Sequence, residues 1–199
     1  MELLEFAVEK ALELGASYAE ARYEEKSGTH LAMKNGSPEG MDIEADRGIG
    51  IRVLANGGMG FASTNVLTRE SVAEAVKRAV KLAKAASQVR NEPIEFSEED
   101  FHRVSYKVKM KKDFRDISPE EKLEILRKIE EEVKATGVNV PMRYLMYSDQ
   151  LWKKVFVNSE GAYVKSKNPA RFRCLQPRRL RERPDGAGAL RPEGILGRF

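Results

Sequence analysis

Apolar residues recur at helical spacing in three stretches of the chain. In the first they fall at positions 4, 7, 8, 11 and 12, which predicts an amphipathic helix that ends at Gly15. The second stretch runs from about residue 69 to residue 87, with Thr68 as its N-cap. The third begins with the residues Ser-Pro-Glu-Glu at 118–121, which are spaced for a capping box, and Gly137 closes it. We therefore expect three helices.

Elsewhere, apolar and polar residues alternate with the period of a half-buried strand. Asn35-Gly36 and Asn56-Gly57 favour two-residue hairpin turns, where the backbone needs positive φ angles. Together these signals predict strands near residues 17–26, 29–34, 38–45, 49–54, 59–64, 104–110 and 138–146, and a final hairpin over residues 151–164. The pattern predicts an α+β fold, an antiparallel β-meander with packed amphipathic helices.

The composition changes after Lys167. Residues 1–167 carry 27 basic and 28 acidic residues, whereas residues 168–199 carry eight arginines, no lysine and three acidic residues. We therefore expect one domain over residues 1–167, with a sub-boundary near residues 88–103, and an irregular Arg/Pro/Gly-rich tail over residues 168–199. Two interpretations of the tail stay open. It is a disordered basic segment that contacts an anionic surface, or the product of a shifted reading frame, since GC-rich DNA read out of frame yields these residue types.

Composition also bears on the compartment. No apolar run of about 18 residues is present, so we expect no membrane span. The acidic amino terminus lacks the basic region of a secretory signal. The single cysteine, Cys174, leaves no intramolecular disulfide and fits a reducing cytoplasm.

Residues with catalytic or metal-binding chemistry are few. His30 and His102 are the only histidines, and neither lies in His-Glu-x-x-His spacing. Ser63 and Thr64 are hydroxyl candidates, but the sequence places no base beside them. We therefore predict no catalytic, cofactor-binding or metal-binding residue in this chain, and we interpret each histidine as a surface or hydrogen-bonding side chain.

The most specific segment is the glycine-rich run from Asp46 to Asn65. A phosphate-binding loop is disfavoured, because Gly48 and Gly50 lack the third glycine of the dinucleotide motif and no helix is predicted to start there. The run is instead typical of a tight antiparallel hairpin, whose glycines serve the turn and the close approach of backbones.

Residues 35–65 resemble the TldD/PmbA family, historically called modulators of DNA gyrase. The resemblance is carried by Asn35-Gly36, Glu39-Gly40 and the runs 46–53 and 60–65, and residues 157–162 are similar to a later family segment. We interpret the role of the signature residues as structural, and their run favours the TldD branch. These residues are Asp46, Arg47, Gly48, Gly50, Arg52, Gly60, Phe61, Ser63 and Thr64.

The resemblance implies an α+β amino-terminal half and, in the TldD branch, a carboxy-terminal half with a His-Glu-x-x-x-His zinc motif. It implies a zinc metallopeptidase that pairs with a TldD/PmbA-type partner subunit and acts on small or unfolded peptides. This chain lacks the motif. We therefore expect an amino-terminal, non-catalytic part, truncated before the metal site and inactive alone, with zinc needed only by the intact protein.

Two other functions stay open. One is a short, non-enzymatic interaction module that regulates a full-length partner. The other, a nucleic-acid-binding protein, is disfavoured, because only the tail is basic and phosphate contacts need clustered cations.

Overall fold

The computed structural model describes residues 2–89, 91–97, 100–110 and 113–178, with side chains through residue 170. Three α-helices, one short 3₁₀ helix and six strands are formed by these residues. In chain order they are α1 (Glu2–Glu13), β1 (Tyr18–Lys34), β2 (Ser37–Ala55), β3 (Gly58–Thr64), α2 (Arg69–Gln88), β4 (Arg103–Lys107), the 3₁₀ helix (Phe114–Asp116), α3 (Pro119–Ala135), β5 (Met142–Asn158) and β6 (Tyr163–Arg178).

The strands are hydrogen-bonded in the order β3-β2-β1-β5-β6-β4. Strands β2 and β3 are antiparallel, with Ala55 opposite Gly58 and Ile49 opposite Thr64. Strand β4 pairs parallel with β6, with Arg103 opposite Tyr163. The α+β class is therefore confirmed, but the sheet is mixed and not wholly antiparallel.

Three long strands replace pairs of shorter predicted ones. The sequence predicts a break between two strands at residues 27–28, whereas β1 continues through these residues. A Cβ atom on Gly28 would lie 2.3 Å from the carbonyl oxygen of Asp149. This glycine therefore permits a neighbouring backbone to approach and does not mark a turn. Strands β2 and β5 likewise run unbroken across predicted gaps.

The backbone also departs from the predicted tail. Strand β6 continues to Arg178, so residues 168–178 are extended and paired where the sequence predicts irregular structure. The partner strand supplies hydrogen bonds to a segment that has no apolar period of its own. Residues 179–199 lie outside the described part of the chain. The division at residue 167 and its origin stay predictions.

The predicted turns and caps are confirmed. Asn35 and Asn56 have φ angles of 49° and 52°, and the following glycines also have positive φ, as two-residue hairpins require. The hydroxyl of Thr68 accepts a hydrogen bond from the backbone N–H of Ser71, and Ser118 and Glu121 form a capping box. Local sequence therefore sets where these elements begin and where the chain reverses.

The chain divides into two compact units. Among the described residues, the first comprises 2–26, 45–108 and 152–168, and the second 27–44, 109–151 and 169–178. No helix among the described residues is long and apolar enough to cross a membrane.

In the first unit, α1 and α2 cover one face of the strands. Apart from Leu4, their buried faces consist of alanine and valine, with Ala7 and Ala11 on α1 and Val72 and Ala75 on α2 fully buried. Apolar residues of β1, β2 and β5 complete this core. Small side chains allow the helices to lie close to the sheet.

The closest approach joins α2 to β3. A Cβ atom on Gly58 would lie 2.2 Å from the carbonyl oxygen of Ala83, and one on Gly60 would lie 2.0 Å from that of Ala79. Both distances are far below van der Waals contact with atoms that belong to helical backbone. Neither position can accept a side chain unless the helix moves.

The second unit has two apolar clusters. One joins Leu31 and Met33 of β1 to Leu126 of α3 and to Leu145 and Tyr147 of β5. The other consists of Phe114, Ile117 and Leu151, with Met110 against it.

We expect Gly60→Ala to destabilise the protein by about 3 kcal/mol or more, because the added methyl meets the α2 backbone. Gly40→Ala is the matched control, since a Cβ atom there meets nothing within 4 Å, and it should change stability by less than about 0.5 kcal/mol. Urea unfolding followed by circular dichroism measures both. Equal stability of the two variants would contradict the packing described for α2.

Candidate functional site

The signature residues do not gather at one point. Strand alternation turns Gly58, Gly60 and Ala62 of β3 toward α2 and leaves Met59, Phe61 and Ser63 on the exposed opposite side. Phe61 is 59 % exposed, which is high for an aromatic side chain. One part of the signature therefore serves packing, and another faces outward.

The outward part lines a shallow groove of about 370 Å³, which we call the signature groove. Five signature residues line it, together with Arg22 and Glu24 of β1; these five are Gly48, Gly50, Phe61, Ser63 and Thr64. A Cβ atom on Gly50 would lie 3.2 Å from two ring carbons of Phe61, so the glycine gives the ring room to lie against β2. The missing side chain at Gly50 thus shapes this surface, and the ring can shift to accept a small substituent.

Arg52 belongs to a different arrangement, centred on the buried carboxylate of Glu20. Arg52 Nη2 lies 2.8 Å from Glu20 Oε2, and Arg22 Nε lies 3.0 Å from Glu20 Oε1. The Tyr18 hydroxyl donates to Glu20 at 2.9 Å. The carboxylate that Arg52 contacts thus belongs to a neighbouring strand, 32 residues away in sequence. Asp46 and Arg47 are exposed on β2.

The hydroxyl candidates serve local structure. Thr64 Oγ1 lies 2.7 Å from Ser71 Oγ and accepts a hydrogen bond from the backbone N–H of Val66 at 3.1 Å. These contacts fix the turn that joins β3 to α2. Ser63 is exposed, and Arg78 Nη2 donates to its carbonyl oxygen. The recorded contacts of these hydroxyls include no general base.

The two histidines lie apart from the signature groove. His30 Nε2 lies 3.3 Å from Glu44 Oε2 and 3.5 Å from Gln150 Nε2. His102 is exposed, and its carbonyl oxygen accepts from the backbone N–H of Tyr163. Within the described ranges, no three His, Cys, Asp or Glu side chains are placed to hold a metal ion.

A buried polar network in the second unit escapes sequence reasoning. Lys122 Nζ lies 2.9 Å from Asp149 Oδ2 and donates to Thr29 Oγ1 at 3.0 Å. The Tyr147 hydroxyl donates to Asp149 Oδ2 at 2.7 Å, and the Thr29 backbone N–H donates to Asp149 Oδ1 at 3.2 Å. Both charged side chains are almost fully buried, and each has a counterion and hydrogen bonds. The charges of this network are matched by other described residues, so we assign the network to structure.

A second buried charge lies two turns further along α3. Arg143 binds both carboxylate oxygens of Glu130 through Nε, at 2.9 and 3.1 Å, and Lys134 Nζ lies 3.4 Å away. Burial alone would raise the pKa of Glu130, but the hydrogen bonds and charges of Arg143 and Lys134 outweigh it, and the pKa is lowered.

A signal for these pairs is present in the sequence. Lys122, Leu126 and Glu130 are spaced four residues apart, and all three lie on the buried face of α3. Asp149 lies at an inward position of β5, in register with Leu145, Tyr147 and Leu151. One charged residue therefore interrupts the apolar face of a helix, and another interrupts the apolar face of a strand. Such a combination indicates a buried ion pair.

Comparison with known proteins identifies the group to which these features belong. Residues 19–83 match a family model described as PmbA/TldA metallopeptidase domain 1. Residues 112–170 match the model of the PmbA/TldA metallopeptidase central domain.

The chain belongs to the TldD/PmbA family. The first match contains all nine signature residues, and the second contains α3 and β5. The sub-boundary predicted near residues 88–103 falls in the interval between the matches, but it stays a prediction.

Individual TldD/PmbA relatives agree with this assignment. A metalloprotease of Methanocaldococcus jannaschii is 28 % identical over 157 residues, which are 79 % of this chain and 34 % of the relative. TldE of Thermococcus kodakarensis has a TM-score of 0.69 at 18 % identity, over 98 % of this chain and 43 % of that one. A proposed DNA gyrase modulator of Bacteroides thetaiotaomicron has a TM-score of 0.72 at 17 % identity, over 94 % and 42 %.

The identities and the coverage limit what these comparisons show. The structural likenesses are below 25 % identity and show the fold. The chain spans about a third of the length of the curated metalloprotease that it matches.

We expect Lys122→Met to destabilise this TldD/PmbA family member by about 3–5 kcal/mol, because Asp149 then keeps a buried charge without its cation. Lys134→Met, on the same helix, is the matched control. Its side chain is 56 % exposed, so that loss should cost less than about 1 kcal/mol. Urea unfolding at neutral pH compares the two, and equal losses would show that the buried pair does not stabilise the fold.

The lowered pKa of Glu130 predicts a pH dependence of stability. The unfolded chain protonates this carboxyl near 4.5, so its contribution is complete above that pH and is lost as pH falls through the lower folded value. We expect Glu130→Gln to cost about 1–3 kcal/mol at pH 7, and much less at pH 3. Unfolding free energies at both pH values measure this, and a difference between wild type and variant that stays constant with pH would contradict it.

Proposed function

We propose that this chain is the amino-terminal, non-catalytic part of a TldD-type zinc metallopeptidase that acts on small or unfolded peptides. Its role in that enzyme is architectural. It supplies a sheet with packed helices and the signature groove, while the bond-breaking chemistry resides elsewhere in the intact protein.

The support for peptidase chemistry comes from the matched family models. Both are described as metallopeptidase domains, and together they cover most of the described helices and strands. The relative from Methanocaldococcus jannaschii is named a metalloprotease. A metallopeptidase is therefore the activity that we assign to the intact protein.

The support for an architectural role comes from the packing of the signature. Gly60 allows α2 to touch β3, Thr64 holds the β3–α2 turn, and Arg52 neutralises the buried Glu20. Each of these contacts stabilises the packing or the charge of another part of the fold. The single observation that carries the proposal is that Gly60, Thr64 and Arg52 each contact another part of the fold.

The described residues provide no zinc site of the peptidase kind. Zinc in peptidases takes nitrogen and oxygen ligands from three protein side chains at about 2 Å. His30 has one carboxylate neighbour, and no group of three suitable side chains occurs among the described residues. These residues do not fit a zinc site, and we place the metal in the remainder of the intact enzyme.

The partner and the compartment are part of the same proposal. The likeness to TldE of Thermococcus kodakarensis supports pairing with a TldD/PmbA-type subunit. The single cysteine supports a reducing cytoplasm.

We expect this chain to release no fluorescence from dye-quenched casein fragments in the presence of zinc. The intact metalloprotease relative is the positive control under the same buffer and temperature, and cooperative unfolding of the chain verifies that it is folded. Cleavage by the chain that is abolished by a chelator and restored by zinc would overturn the non-catalytic assignment.

A further inference from the structure

An apolar cavity of about 540 Å³ lies in the first unit, beside the amino-terminal end of α1. Leu3 and Leu67 line one side of it, and Tyr23, Ile49 and Val155 line the sheet side. All five side chains belong to, or pack against, the core under α1 and α2. The cavity therefore continues the apolar face of the sheet beyond the point where α1 begins. Its volume lies in the range of small-molecule and short-peptide sites.

Every charged residue that lines this cavity in the described chain is a lysine: Lys153, Lys154, Lys165 and Lys167. Lys153 and Lys154 are paired with carboxylates of β1. Lys153 Nζ lies 2.6 Å from Glu25 Oε1, and Lys154 Nζ lies 3.2 Å from Glu24 Oε1.

Lys165 differs from these two. It is exposed, and no described carboxylate lies within ion-pair distance of it. Lys165 shares a strand face with Tyr163, which packs against the core. Its ammonium group therefore lies at the cavity with a charge that the described residues do not balance.

We propose that this lysine-rimmed cavity binds the carboxyl-terminal end of an apolar peptide. The peptide carboxylate would pair with Lys165, and one or two apolar side chains would fill the space above Tyr23 and Val155. This inference rests on the proposed function for its choice of a peptide as the occupant. Charge complementarity selects an anionic end, and the apolar lining selects the side chains.

The lysines have two alternative roles: they bind the carboxylate of a ligand, or their stems only cover the apolar surface of the cavity. Lysine stems often lie over apolar surface while their ammonium groups stay in water. In that case the cavity would show no preference for a carboxylate. A preference for a free carboxylate that depends on Lys165 distinguishes the two roles.

The experiment measures fluorescence anisotropy of N-terminally labelled Leu-Leu-Phe, as the free acid and as the amide, titrated with the full chain. We expect the acid to bind about fivefold more tightly than the amide at low salt, with the difference shrinking as salt is added. Lys165→Gln should abolish the preference. Lys81→Gln, at an exposed position of α2 that does not line the cavity, should retain it.

Two further ligands test the two halves of the site. Labelled triglycine acid keeps the carboxylate but lacks apolar side chains, and we expect it to bind far more weakly than Leu-Leu-Phe acid. Decanoate tests a lipid source of the same chemistry, and we expect it to displace the peptide less effectively than unlabelled Leu-Leu-Phe acid.

Any of four outcomes would overturn the inference. They are equal affinity for acid and amide, equal behaviour of the two lysine variants, equal binding of triglycine, and stronger binding of decanoate than of the peptide. None of these outcomes changes the casein assay. Failure of this site and failure of the proposed function can therefore be told apart.

Discussion

Contact between the backbones of α2 and β3 is the constraint on which the first unit depends. Gly58 and Gly60 place β3 so close to Ala83 and Ala79 that a methyl group would overlap the helix. Because side chains alternate across a strand, this contact also sets which residues face outward. A slip of one residue would direct Met59 and Phe61 into a space that cannot hold a single carbon. The helix contact thus fixes the register of β3 and, with it, the composition of the signature groove.

In the second unit, buried ion pairs join α3 to β5. Here α3 carries two charges on its apolar face, and each pairs with a residue of β5, Lys122 with Asp149 and Glu130 with Arg143. As residue numbers rise along the helix they fall along the strand, so the two elements run antiparallel. Buried ion pairs stabilise less than apolar packing of the same volume, but a misaligned pair leaves a charge uncompensated. We infer that these pairs specify the alignment of α3 on β5.

Local chemistry made part of this fold predictable. The Asn-Gly turns, the Thr68 cap and the Ser118–Glu121 capping box depend on residues close in sequence, and all were placed correctly. The continuity of β1 was not predicted, because glycine is also common in turns. The role of Gly28 depends on Asp149, which is 121 positions away. The parallel pairing of β4 with β6 likewise leaves no local trace. The spacing of Lys122 and Glu130 on α3 signals buried charges, but their partners on β5 are identified only by the fold.

The nine signature residues are close in sequence, but the hairpin distributes them over different faces. They are contiguous enough in sequence to look like one motif, yet β-strand alternation and the hairpin separate them into an inward set at Gly60, an outward set at Phe61 and Ser63, and a turn at Thr64. A catalytic cluster needs its groups to converge within hydrogen-bond distance of one reacting atom. Signature residues on opposite faces of the sheet, such as Gly60 and Phe61, do not converge in this way. The same divergence is what a hairpin needs when one face carries a helix and the other stays open. We therefore propose that the signature serves packing in this fold.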